Sequence, residues 1–405
     1  MSLTARYLAT FLVGWLLSLA LPGVSPEAAP SGPPVRVGGT LGLTGPLAPT
    51  AIFPKMVGEI AVEQLNRKNG LLGRPVEYVL LDDQSKPDVT RTLYERLVTQ
   101  EKVDLLIGAF GTAANLSAIA VAQRSQKLLI SSTMAVPKLS TYEMHFPTQG
   151  IGPEPDKTIP TLVFDALAST AQPPRTLAIV ASKFPSLHFI SVGGRELAAK
   201  RGINVGLFLE FEFGTRDFGP IAARIKEANA DFLWIGGLGL DGNMVLDALQ
   251  KIDYTPRGHL TFFPAPGPMI QHPLGKYAFA LSPFQEHLPF TDNPVAAEFI
   301  KLFNERAAKV GLPYTKVENQ ASIAYTSWQV FEAAVNATKS LDDKVLAKWL
   351  KANRVPTIIG TLRFDGPNNF GDSLYRLSQI HDGRWLTVWP KEWAAPGVRI
   401  VYPTP

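Results

Sequence analysis

Between Val35 and Pro137 short apolar runs of strand length alternate with stretches of helical periodicity, and the first run ends in the loop Gly39-Thr-Leu-Gly-Leu-Thr-Gly45-Pro46. Strands that alternate with helices build βαβ units around a parallel sheet covered on both faces. Small molecules bind such open sheets outside the carboxyl ends of the strands. The glycine-rich loop is therefore the first place to look for a ligand.

Val35-Arg-Val-Gly-Gly-Thr-Leu41 reads as the first strand, and Val57, Ile60, Ala61 and Leu65 fall on one face of a helix over 54–68, with Pro54 in its first turn. Asn69-Gly70 and Gly73-Arg74-Pro75 stop that helix and turn the chain into a strand over 76–81. Ser85-Lys-Pro-Asp88 reads as a capping box for a helix carrying Leu93, Leu97 and Val98, and 104–108 as a third strand. A second unit of the same kind follows: strand 176–181, helix 190–201, strand 205–211, helix 218–228 and strand 231–236. Helices are expected over 294–310, 321–339 and 341–350, and closing strands at 364–366, 375–380 and 385–389. The fold class is α/β, with two doubly wound βαβ lobes.

The amino terminus adds a location. Arg6 precedes an apolar run, Phe11 to Ala20, that is short of the ~20 residues a membrane span needs, and small residues follow it at Gly23 and Ser25. Residues 1–29 are expected to be a cleaved export signal. The chain has no cysteine, so neither disulfides nor lipid attachment through a cysteine is available, and a periplasm is the expected compartment. A net charge of +4 spread without a basic run interleaved with aromatics argues against nucleic acid as a partner.

Motifs of catalysis are missing. Gly39, Gly42 and Gly45 are spaced by three, unlike a dinucleotide fingerprint, and no phosphate-binding loop, nucleophile elbow or H-E-x-x-H occurs. The six histidines never fall at metal-ligand spacing, and each reads as a surface or locally satisfied residue. Only Asp82 and Asp83 pair carboxylates in a strand-end loop. No enzyme, metal or cofactor is expected.

Val35-Arg-Val-Gly, Thr44-Gly45-Pro46-Leu47-Ala48, the helix end Leu65-Asn66 through Gly73-Arg74, and Asp82-Asp83-Gln84 resemble the amino-terminal signature of the Leu/Ile/Val-binding family of type I periplasmic binding proteins. Leu106-Ile-Gly108, Leu129-Ile-Ser-Ser132, Phe213-Gly-Thr-Arg-Asp217-Phe218 and Ala230-Asp231-Phe232 continue the similarity in order. The resemblance implies a receptor of an ABC importer, monomeric, working with the importer's membrane subunits and holding a small carboxylate-bearing ligand between two closing lobes. It places a signal peptide at 1–29, lobe I at 35–150 plus 286–355, and lobe II at 151–282 plus 360–405. The crossovers then fall near 149–154, 282–286 and 356–361, where Pro or Gly can absorb a hinge motion.

The same resemblance assigns a site. Thr112 and its neighbour Ala113 would take the ligand carboxylate at a helix N-terminus, with Thr133 and Ala135 adding contacts from the next loop. Thr50 and Phe53 would pack on the ligand side chain, and Phe184 and Ser186 would face it from the second lobe. The family's acid for a ligand ammonium is replaced by Ala265, in Phe262-Phe-Pro-Ala-Pro-Gly267. An unpaired buried charge is costly, so the expected ligand is an aromatic or branched aliphatic acid without an ammonium, with hydrophobic amino acids second if Asp241 substitutes for the acid. A receptor of this fold that signals to a membrane sensor is the alternative function, and an α/β-fold enzyme a more distant one.

Overall fold

The computed structural model describes residues 29–405, so all but the last residue of the expected signal at 1–29 lies outside the described residues. The first lobe is built from β1 (Val35–Leu41), α1 (Ala48–Arg67), β2 (Val76–Asp82), α2 (Pro87–Thr99), β3 (Leu105–Ile107), α3 (Thr112–Arg124), β4 (Leu129–Ser131) and β5 (His145–Pro147). Its five strands are parallel, in the order β2-β1-β3-β4-β5. The second lobe opens with α4 (Pro155–Ala168), β6 (Thr176–Ser182), α5 (Pro185–Lys200), β7 (Asn204–Phe211), α6 (Gly219–Ala228) and β8 (Phe232–Gly239). It continues through α7 (Asp241–Gln250), β9 (His259–Pro264), α8 (Pro266–Gln271) and β10 (Phe279–Ser282). The chain then returns to the first lobe as α9 (Pro294–Lys309), α10 (Asn319–Thr338) and α11 (Asp343–Ala352). A hairpin, β11 (Val355–Thr357) and β12 (Gly360–Leu362), leads to β13 (Arg376–His381) and β14 (Arg384–Trp389), which add antiparallel strands to the second sheet.

The second sheet runs β14-β13-β10-β9-β8-β6-β7. Within it β7-β6-β8-β9-β10 repeats the order of the first sheet, so each lobe has its own switch point, between β1 and β3 and between β6 and β8. The crevice at such a point is where an open α/β sheet binds a ligand. The inner strands β3, β4, β6 and β8 are near-continuous runs of buried residues, as strands covered on two faces must be.

Three crossings join the lobes and are tied to one another. Leu374 N–H donates to Gly150 O at 2.7 Å, and Ile151 bridges Ser373. Arg376, 3% exposed, donates from Nη1 to Pro283 O (2.6 Å), Ile359 O (3.1 Å) and Leu374 O (2.6 Å). Its guanidinium stacks 3.7 Å over the Trp393 ring, which compensates a buried cation that has no ion-paired carboxylate among the described residues.

Three local expectations change, each through a tertiary contact. α1 begins at Ala48 rather than 54, because Ser85 Oγ accepts from Leu47 N–H at 3.1 Å and anchors the earlier start. Having that role, Ser85 does not cap α2, whose N-cap is Lys86 with no side-chain bond. No strand forms at 364–366: Phe364 is buried edge-on against Phe146 (5.4 Å) while Arg363 binds Asp372 at 2.6 Å to close an irregular loop.

Candidate functional site

A cavity of about 340 Å³ lies between the strand ends of the two lobes, within the usual size of small-ligand sites. Thr50 and Phe53, in the first turns of α1, form its first-lobe wall together with Glu318 and Gln320 at the start of α10. Phe213 and Arg216 in the loop after β7, Asp241 at the start of α7, and Phe263 to Pro266 at the end of β9 supply the second-lobe wall. The walls are chiefly aromatic and proline-rich, with three charged groups.

Those charges are unevenly satisfied. Asp241 is 4% exposed; its carboxylate accepts from Leu238 N–H at 3.0 Å, and burial pushes its carboxyl up to about 6. Glu318 is 8% exposed; it caps α10 by accepting from the N–H groups of Gln320 (2.8 Å) and Ala321, and burial pushes it up to about 7. Neither has a cation within ion-pair distance among the described residues. Arg216, exposed at the cavity wall, likewise has no carboxylate partner among them.

Of the residues expected from the sequence, Thr50, Phe53, Asp241 and Ala265 come together around this cavity. Thr112, Ala113, Thr133 and Ala135 form a second group at the start of α3. Thr112 is fully buried, with Oγ1 accepting from Ala135 N–H at 3.3 Å, and Gly111, not Thr112, is the N-cap. Thr133 Oγ1 accepts from Gly111 N–H at 2.8 Å and donates to Ala109 O at 3.1 Å. Gly111 is required here twice over: its φ is +87°, and a Cβ would come within 2.6 Å of the Phe184 ring.

Phe184 therefore sits directly on the start of α3, and its other neighbour is Phe213, 5.1 Å away and on the cavity wall. Neither Thr112 nor Thr133 is among the residues lining the cavity. Ser186 is buried in the first turn of α5, which begins five residues ahead of the expected 190. Asp241 is in the first turn of α7, where the helix dipole favours an acid.

Arg216, Phe213 and Glu318 are among the lining residues that sequence reasoning missed. Arg216 and Phe213 belong to the quoted Phe213-Gly-Thr-Arg-Asp217 segment, so its place at a strand end was available as a signal. Glu318 carried none, being an unusual N-cap residue. The buried His145 is bonded at both ring nitrogens by the Ser131 and Ser140 hydroxyls, whereas His259 is bonded at Nε2 by Leu274 O and its buried Nδ1 has no partner among the described residues. Among the described residues no group of three His, Asp or Glu is arranged to hold a metal ion.

The family model for periplasmic binding proteins matches residues 34–384. The Leu/Ile/Val-binding protein of Escherichia coli K12 is 22% identical over 326 residues, covering 80% of this chain and 84% of that protein. A leucine binding protein from Thermotoga maritima superposes with a TM-score of 0.74 at 17% identity, over 89% of this chain and 99% of the other. An ABC transporter solute binding protein from R. palustris, solved with benzoate, gives 0.72 at 18% identity, over 91% and 98%. The fold is that of the type I periplasmic binding proteins. The chain belongs to the periplasmic binding protein family. Members of this family are substrate-binding proteins rather than enzymes.

Proposed function

We propose that the chain is the periplasmic receptor of an ABC importer, capturing a small ligand that carries a carboxylate on an apolar body and presenting it to the importer's membrane subunits. The observation that carries this reading is the cavity itself, which draws its apolar walls and its charged groups from the strand ends of both lobes. A ligand touching both walls favours the closed arrangement, and only such differential contact shifts a conformational equilibrium. The lobes are taken as 35–150 plus 286–355 and 151–282 plus 360–405, closing about the tied crossings. The protein acts as a monomer after removal of its amino-terminal signal.

Phe53, Phe213 and Phe263 suit a ring or a branched alkyl chain. For the carboxylate, Arg216 is the cation on the cavity wall, whereas Thr112 does not line the cavity and its Oγ1 accepts from Ala135 N–H. The class of ligand is tested by a thermal-shift panel of leucine, isoleucine, valine and phenylalanine beside their deaminated acids and benzoate. A true ligand at ~1,000 times its Kd stabilises by about 4 kcal/mol. No response to any member would refute the reading.

A further inference from the structure

Gly111, Lys138, Phe184 and Phe189 do not line the cavity, yet they bring the two lobes into direct contact. Phe184, the N-cap of α5 in the second lobe, sets the tip of its ring against Gly111 in the first. The missing Cβ there leaves a socket that a methyl group would fill. Phe213 backs the ring at 5.1 Å. Further along α5, the Phe189 ring lies 4.9 Å from the Lys138 ammonium of the first lobe, a cation–π contact across the same gap.

Both halves of this contact are held from behind. Phe184 N–H donates to Ser182 Oγ at 3.2 Å and Pro185 follows with its fixed φ, so the ring projects from a rigid helix start. In the first lobe the turn that carries Lys138 is fastened by Asn368, whose Nδ2 donates to Pro137 O at 3.0 Å. The contact is also continuous with the core: Phe110, Met134 and Ala135 of the first lobe are buried and belong to the same apolar cluster as Phe164, Leu187 and Phe263 of the second. Separating the lobes returns the Phe184 ring and its socket to water, which the hydrophobic effect opposes. None of that attraction passes through a ligand.

A conformational equilibrium follows the difference in contacts between its two states, whatever group supplies them. We infer that Phe184 in the Gly111 socket, reinforced by Phe189 on Lys138, is a latch that gives the protein a closed population before any ligand binds. This goes beyond capture of a ligand between the lobes, since the ligand then shifts an equilibrium the chain has already biased. Apparent affinity scales with the fraction of binding-competent molecules, so the latch raises affinity for every ligand by one common factor.

The chain has no cysteine, so a pair of introduced cysteines carries spin labels without background. Lys86, in the loop after β2, and Arg224, on α6 after β7, are exposed and adjoin the strands at the opposite end of each sheet from the crossing strands β5 and β10. Double electron–electron resonance on the Lys86→Cys/Arg224→Cys protein, refolded from urea to strip carried ligand, should show a population at the separation of the closed structure. Phe184→Ala should reduce that population about threefold or more, as loss of an aromatic contact implies. Lys138→Ala, which removes an exposed side chain without threatening the fold, should reduce it as well. A control pair within the second lobe, Arg224→Cys/Lys251→Cys, should keep its distance in both variants. A wild type without the closed population, or one that either variant leaves unchanged while the control pair holds, overturns the inference. No ligand enters the measurement, so these outcomes are separate from the thermal-shift panel that tests the receptor reading.

Discussion

Removing the charge at Glu318 should make the unliganded protein more stable, by an amount that depends on pH. Its carboxyl rises from an ordinary 4.5 to about 7 because the residue is buried at the start of α10, even after the two backbone N–H bonds that favour the ionised form. A shift of one pK unit corresponds to 1.36 kcal/mol, so the ionised form disfavours folding by about 3 kcal/mol. The folded state binds more protons than the unfolded state between pH 4.5 and 7, so wild-type stability falls as pH rises through that window. Below it Glu318 is neutral in both states and contributes nothing of this kind. Glu318→Gln is a neutral isostere at every pH. It should therefore match the wild type at pH 4 and exceed it by about 3 kcal/mol at pH 8, or about 5–10 °C in Tm for lobes of this size. Thermal and urea unfolding of both proteins at the two pH values, without ligand, measure the difference. A variant less stable than wild type at pH 8, or an equal gain at pH 4 and pH 8, would refute the reasoning.

Arg216→Ala should weaken the ligand identified by the panel tenfold to a hundredfold, the loss of a charge-assisted bond of roughly 1.5–3 kcal/mol, while Thr112→Ala changes affinity less than threefold; the reverse ranking in calorimetry would put the carboxylate on α3. Arg376→Met should cost about 1–3 kcal/mol in denaturant unfolding, because carbonyls of the crossings lose their donor in a buried site, a loss partly offset by removal of a buried charge. A change under 1 kcal/mol would mean that the crossings hold together without it. Expressed in a Gram-negative host, the protein should be recovered from the periplasmic fraction with an intact mass lacking a segment that ends between 23 and 29; a membrane-bound product retaining Met1 would contradict export.

The frame was legible because each strand of the βαβ runs is a compact apolar block, and burial on both faces removes the ambiguity of alternation: Val35-Arg-Val-Gly-Gly-Thr-Leu41 became β1 with the same limits. What local sequence could not show was set by contacts distant in the chain. Ser85 resembles a helix cap but bonds Leu47, so both α1 and α2 start differently from expectation. The short β5 has only three residues and is fixed by pairing with β4, a non-local event that leaves little pattern. Around the cavity, Thr50, Phe53, Asp241 and Ala265 were reached through the family resemblance rather than through local pattern. The position of Phe184 over Gly111 depends on how the two lobes meet, and Glu318 enters the cleft only because α9 to α11 return to the first lobe. Those are properties of the closed chain path rather than of any window of residues.

Small-angle X-ray scattering on the mature protein tests the central claim most directly, with and without the tightest panel ligand at ~1,000 times its Kd, a concentration at which nearly all molecules are bound. The account predicts a smaller radius of gyration and a loss of the long-distance shoulder on ligand addition, because a ligand bridging Thr50 and Glu318 on one lobe to Arg216 and Asp241 on the other draws the lobes together. Superimposable profiles, with calorimetry proving saturation, would contradict it.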